Sequence, residues 1–191
     1  MLTERKNMED EMKIVAVLGS PRKQSASSKI VKAILKGAEE NGHESIIYEA
    51  SKINLKGCQA CGVCKKNEID CIQNDDLKSY WNDLHDADVL IVSSPNYHAT
   101  VCGPMVSFLN RHCCLRKKDR TLRLEPGKRI IGVFSQGNTD VDGYKSAYDW
   151  YLSRFNAYGM ESADMIIHTE QMSVADDSDI IKRAYELGKK L

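Results

Sequence analysis

Three runs of mostly apolar residues, KIVAVL at 13–18, DVLIVS at 88–93 and RIIGVF at 129–134, constrain the fold of this chain more than any other feature. A strand with apolar side chains on both faces must be covered on both, which is the situation of an inner strand in a parallel sheet. Between these runs the apolar spacing changes to that of helices, as with Ile30, Val31, Ile34, Leu35 and Ala38. The pattern predicts strands at 13–18, 44–48, 88–93, 129–134 and 163–168, and helices at 28–41, 76–85, 103–115, 144–158 and 179–191. Such alternation implies right-handed crossovers, so the expected fold class is α/β: a doubly wound five-stranded parallel sheet, order 2-1-3-4-5, with helices on both faces. In that order ligands bind at the carboxyl ends of the strands where the winding reverses. The loops after the first, third and fourth strands should therefore carry the function.

The 191 residues suit one domain. It is expected to span 13–191, after a flexible polar extension at 1–12 and with a cysteine-rich insertion at 55–75. The 27 Lys+Arg balance the 27 Asp+Glu, which removes the surplus of positive charge that a dedicated nucleic-acid binder needs. No apolar run is long enough for a membrane span, and the polar start lacks the apolar stretch of a secretory signal, so the expected location is cytoplasmic. Thiols stay reduced there, and clustered cysteines read as metal or redox ligands before disulfides.

The first of the three loops, Gly19 to Ser28 (GSPRKQSASS), joins a buried strand to a helix N-terminus, where free N–H groups and the helix dipole favour an anion. Serine hydroxyls and the Arg22 guanidinium would complete a cradle for a phosphate monoester. Neither G-x-x-x-x-G-K-[ST] nor G-x-G-x-x-G is present. The plainer alternative is that the serines only cap the helix and Arg22 is solvated.

Cys58, Cys61, Cys64 and Cys71 form C-x2-C-x2-C-x6-C. Three thiols two residues apart wrap one face of a cube-shaped cluster, and the step to Cys71 reaches up to roughly 23 Å when extended, so a [4Fe-4S] cluster is sterically reasonable. Zinc usually takes two separated pairs and a dithiol switch needs only two thiols; both stay open as alternatives. Cys102, Cys113 and Cys114 lack such spacing, and Cys113 and Cys114 read as ordinary packing.

The loops after the third and fourth strands, Ser93 to Ala99 (SSPNYHA) and Ser135 to Asp140 (SQGNTD), offer a rigid proline, an aromatic, glycine and short polar side chains. Together with GSPRKQS they resemble the flavodoxin-like NAD(P)H-dependent FMN reductases, and CQACGVCKKNEIDC followed by Asp75-Asp76 narrows the resemblance to the iron-sulfur flavoproteins. The resemblance implies an FMN whose phosphate lies on Ser20, Arg22, Ser25 and Ser27. The ring would lie against Pro95, Asn96, Tyr97, His98 and Ala99 on one side and Gln136, Gly137 and Asn138 on the other. It further implies one [4Fe-4S] cluster on Cys58, Cys61, Cys64 and Cys71, and a homodimer or homotetramer. Two departures stand out: the usual S-N-T of the phosphate loop reads Ser25-Ala26-Ser27, and the usual lysine and Asp-Arg read Val106 and Asn110-Arg111.

FMN can take two electrons as a hydride and release them singly, whereas a [4Fe-4S] cluster passes one at a time, so placing them together would interconvert two- and one-electron chemistry. The expected activity is an FMN-dependent oxidoreductase exchanging electrons between NAD(P)H or ferredoxin and a small-molecule or protein acceptor. No general acid or base is required. The alternative is a non-catalytic flavodoxin-type carrier or a zinc-stabilised interaction module. The basic stretch 116–123 reads first as a solvated loop and second as a docking site for an acidic partner. Leu77, Trp81, Tyr148, Tyr151, Leu152 and Phe155 read as helix faces packed on the sheet, and Asp75-Asp76 as a helix N-cap.

Overall fold

A computed structural model of the chain describes residues 11–191. Five strands pair in parallel in the order β2-β1-β3-β5-β6: β1 (Lys13–Leu18), β3 (Val89–Tyr97) and β5 (Arg129–Gln136) form inside the sheet where the three apolar runs stand, and β2 (Glu44–Glu49) and β6 (Glu161–Thr169) form its edges. Counting these five alone, the order is the expected 2-1-3-4-5. A sixth strand, β4 (Thr100–Val101), is an addition: β3 runs on past the sheet, turns and pairs antiparallel with it, Asn96 opposite Val101 and Tyr97 opposite Thr100. Of the expected extension at 1–12, residues 1–10 lie outside the described residues. Met12 is tied down, its carbonyl accepting from the Glu44 amide at 2.9 Å and its amide donating to His43 Nδ1 at 3.2 Å.

Successive residues of β1 supply opposite cores, because side chains alternate across a strand. Ile14, Ala16 and Leu18 join Val89, Ile91, Ile131 and Val133 under α1 (Ala26–Glu40) and α6 (Asp179–Lys189). Val15 and Val17 join Leu90, Val92, Ile130 and Phe134 on the other face, under α3 (Lys78–Asp86), α4 (Gly103–Arg111) and α5 (Lys145–Asn156). Each fully buried Ile or Leu contributes roughly 1.5–3 kcal/mol, so the two cores hold the sheet edge-on to solvent and leave its carboxyl rim free for loops. On the first face the helices touch backbone to backbone: a Cβ at Gly188 would stand 1.9 Å from the Ile34 carbonyl oxygen, and one at Gly37 would stand 2.2 Å from that of Tyr185. The expected packed faces are in place, with Leu77, Trp81, Tyr148, Tyr151, Leu152 and Phe155 all buried.

Beyond α4 the chain tightens into a 3-10 turn, His112–Leu115, rather than continuing as α-helix. The cysteine insertion is irregular except for α2 (Val63–Asn67), and it turns on left-handed residues, Ala60 (φ 52°), Gly62 (φ 72°) and Glu68 (φ 53°). No helix among the described residues is long and apolar enough to cross a membrane.

Candidate functional site

The loops after β1, β3 and β5 meet at the carboxyl rim. Gly19 is the pivot: its amide donates to the Ser93 carbonyl at 2.9 Å, its carbonyl accepts from Cys102 Sγ at 3.2 Å, and a Cβ there would stand 2.4 Å from Met105 Cγ. Only glycine lets the first loop leave its strand this close to the third. Between the loops lies a cleft of about 370 Å³ lined by Ser20, Arg22, Ser25, Pro95, Asn96, Tyr97, Gln136 and Gly137, all of them sequence-predicted. Gln24, Ala26, Ser135, His168 and Glu170 complete its wall.

At the phosphate end, Ser25 is extended (φ −74°, ψ 148°) and caps α1, its Oγ accepting from the Ser28 amide at 3.2 Å and donating to Ser28 Oγ at 2.7 Å. Capping uses one of the free N–H groups of the first turn and leaves others to an anion. Ser27, in the first turn of α1, is fully buried behind the cleft's lining, and its Oγ has no partner. A buried hydroxyl in that condition carries a desolvation cost that a ligand oxygen would relieve. Arg22 is exposed, its amide resting on Ser20 Oγ at 3.3 Å, so its guanidinium is free to swing to a bound anion.

The two expected ring-binding loops are joined through Tyr148 of α5. Asn96 Nδ2 donates to Tyr148 Oη at 3.0 Å, and Tyr148 Oη donates to Gln136 Oε1 at 3.0 Å. Gln136 Nε2 in turn donates to the Asp140 carbonyl at 2.6 Å, closing the second loop. Tyr148 stacks on Phe134 with centroids 4.3 Å apart, and desolvation pushes its hydroxyl up to about 12, so it stays a proton donor at neutral pH.

The turn Tyr97-His98-Ala99-Thr100 has positive φ at both central residues, His98 at 52° and Ala99 at 62°. This is the twist that a two-residue hairpin requires, held here without glycine, at about 1–2 kcal/mol for each left-handed L-residue. Asn96 Oδ1 accepts the Ala99 amide at 3.1 Å and stabilises the turn. The result is that Tyr97, 45% exposed, faces the cleft while His98 lies outside its lining. Asn138 also stays out of the lining, its side chain accepting from the Asp140 amide at 3.0 Å within its own loop.

Sequence reasoning missed His168 and Glu170, which enter from the end of β6. His168 is buried, and its Nε2 donates to the Met172 carbonyl at 2.9 Å. Its Nδ1 is buried without a partner. A fourth strand end at the rim could have been foreseen from the sheet order, but nothing in the residue types around His168 marks it.

Cys58, Cys61, Cys64 and Cys71 all line a second concavity, of about 300 Å³, together with Cys113 and Cys114. Among the described residues no three His, Cys, Asp or Glu side chains converge on a single point as they would around one metal ion. Four thiols lining one largely apolar hollow are the donor set that a four-iron cluster takes. The reading of Cys113 as plain packing needs correction: its Sγ lies 3.6 Å from Cys58 Sγ, and burial pushes its thiol up to about 12. Cys114 is buried in the core as expected.

The cysteine loop is pinned from below. Arg111, fully buried, directs Nε to Cys71 Sγ at 3.1 Å and Nη1 to the Lys56 carbonyl at 2.9 Å, and pairs with Asp75. Asp75 also accepts the Leu77 amide at 3.2 Å just before α3, and Asp76 accepts that of Asn54 at 2.7 Å. Burial works against the charge on Asp70, but hydrogen bonds from His85 at 3.1 Å and Arg123 at 2.6 Å outweigh it and hold the carboxyl below its ordinary value. The basic stretch is thus partly spent internally: Arg123 on Asp70, Lys117 on Glu68 at 3.6 Å and Arg116 on the Ala157 carbonyl.

Comparison with known proteins agrees with this geometry. Residues 12–141, which contain all three cleft loops, match the family described as NADPH-dependent FMN reductase. An iron-sulfur flavoprotein of Archaeoglobus fulgidus is 35% identical over 182 residues, 94% of this chain and 79% of the relative. One of Methanosarcina thermophila is 30% identical over 139 residues, 73% and 72% of the two chains. Among solved structures, the NAD(P)H:quinone oxidoreductase of Methanothermobacter marburgensis superposes with a TM-score of 0.74 at 17% identity, over 94% of this chain and 96% of that one, a likeness of fold. The chain has the flavodoxin-like fold and belongs to the NADPH-dependent FMN reductase family, within which it stands with the iron-sulfur flavoproteins.

Proposed function

We propose that the rim cleft holds FMN and the cysteine hollow one [4Fe-4S] cluster, and that the protein exchanges electrons between NAD(P)H or ferredoxin and a small-molecule or protein acceptor. The observation that carries the flavin half is the cleft formed by all three switch-point loops beside the capped α1 N-terminus, with the unpartnered Ser27 Oγ buried in the first turn of that helix, behind the cleft's lining. Ser20, Arg22, Ser25 and Ser27 would take the phosphate, and Pro95, Asn96, Tyr97, Gln136 and Gly137 would bound the ring. Cys58, Cys61, Cys64 and Cys71 would hold the cluster.

When bound, FMN supplies hydride acceptance and the cluster single-electron transfer. The chain's own contribution is orientation and tuning. The Asn96–Tyr148–Gln136 chain fixes the distance between the two ring-binding loops, and Tyr148 donates rather than ionises. Arg111 presents a cationic N–H to the Cys71 sulfur, a contact that stabilises negative charge there. A homodimer or homotetramer belongs to the same proposal, by analogy with the family. The test is replacement of Cys61 by Ala in anaerobically prepared protein, with iron and FMN measured separately. Iron should disappear while FMN stays; iron unchanged in the variant, or none in the parent, contradicts the cluster assignment.

A further inference from the structure

We propose that Cys58 and Cys113 form a reversible disulfide across the cysteine hollow when no cluster fills it. Their sulfurs lie 3.6 Å apart, the one pair of cysteine sulfurs in contact among the described residues, although the two positions are 55 residues apart in sequence. Cys58 is exposed, on the irregular segment that precedes α2, where the backbone has few regular hydrogen bonds to lose. Cys113 is half-buried and fixed: its carbonyl, with that of Arg116, accepts from the Lys65 ammonium, and it also accepts the Arg116 amide at 3.4 Å. One sulfur is thus anchored and the other rides on a strap that can yield. Bonding needs an approach to about 2.0 Å, a movement the strap can absorb.

The chemistry balances with a peroxide as oxidant. The exposed Cys58 thiol takes one oxygen atom from the peroxide to become a sulfenic acid, with release of one water. Cys113 sulfur then attacks the Cys58 sulfur; the S–O bond breaks, the departing hydroxide takes the Cys113 proton, and a second water leaves. Two thiols lose two electrons and two protons in all, and a dithiol reductant restores them. The bridge would remove Cys58 from the ligand set, and this consequence, unlike the bridge itself, rests on the cluster reading above.

The experiment treats metal-free protein, prepared by chelation, with one equivalent of hydrogen peroxide and maps its peptides by mass spectrometry without reduction. The expected product is the Cys58 peptide joined to the Cys113 peptide, lighter than their sum by two hydrogens and separated again by dithiothreitol. Cys113→Ser should yield no joined peptide. The bridged parent should take up no iron on anaerobic reconstitution, and should take it up after reduction. Bridges confined to Cys58, Cys61, Cys64 and Cys71, or Cys58 recovered only as higher oxyacids in the parent, overturn the proposal. A Cys58–Cys113 bridge in a protein that takes up no iron even when reduced upholds the disulfide and overturns the cluster reading.

Discussion

Arg111 and Asp75 form an ion pair withdrawn from water, the guanidinium fully buried and the carboxylate side chain 4% exposed, with a second contact from Nη2 to Oδ1 at 3.3 Å. It joins the end of α4 to the segment between the cysteine loop and α3. Arg111→Met leaves Asp75 buried and unpaired, and the expected loss is about 3–5 kcal/mol, read as a fall in the urea midpoint. A double variant with Asp75→Leu should lose less than the sum of the two single changes. Additive losses would show that the pair is not coupled.

Ser27 and Ser25 separate ligand binding from stability. Ser25→Ala removes a helix cap and should cost about 1 kcal/mol of stability. Ser27→Ala deletes a hydroxyl with no internal partner, so stability should hold or rise while FMN affinity drops roughly tenfold or more. Riboflavin, which lacks the phosphate, should bind parent and Ser27→Ala alike in fluorescence titrations. Equal losses for both ligands would place Ser27 away from the phosphate.

Tyr148→Phe keeps the ring stack on Phe134 and removes the hydroxyl between Asn96 and Gln136. Flavin-free variant protein should bind FMN about tenfold more weakly, the equivalent of one or two lost hydrogen bonds. Riboflavin should suffer the same loss, in contrast to the Ser27 variant, because the damage lies at the ring end.

His112 predicts a pH dependence of stability. Desolvation in an aromatic pocket, ahead of any nearby charge, lowers its imidazole from 6.5 to about 4, and it is held neutral between Tyr80 Oη at 2.7 Å and the Phe108 carbonyl at 2.9 Å. The folded value is depressed, so the unfolded chain binds the proton first. The contribution of His112 to stability is complete above about pH 6.5 and is lost as the pH falls through about 4, a change on the order of 3 kcal/mol. His112→Gln should flatten that slope in thermal melts between pH 7 and pH 4, and an unchanged slope would assign it to other groups.

The sheet was legible because β1, β3 and β5 are buried on both faces and their residue types say so; alternation implied a parallel doubly wound sheet, and the switch-point loops followed from the order favoured for it, which the structure has. The β3–β4 hairpin was not, since its left-handed positions are His98 and Ala99 where sequence signals look for glycine or asparagine. Tyr148 read as a packed residue, and it is one, but its hydroxyl also ties the cleft together; periodicity reports a side chain's face and not the end of it. Arg111 surfaced only as a motif position, because its partners Asp75, Cys71 and Lys56 lie 36 to 55 residues away, beyond any local pattern. The approach of Cys113 to Cys58 was hidden for the same reason.

The claim that FMN sits at the carboxyl rim is tested most directly by its stoichiometry and its dependence on the phosphate loop. Protein reconstituted with excess FMN, freed of unbound flavin and denatured in mild acid should release one FMN per chain, and an Arg22→Ala, Ser27→Ala double variant far less. No flavin released from the parent, or equal amounts from parent and variant, would contradict it.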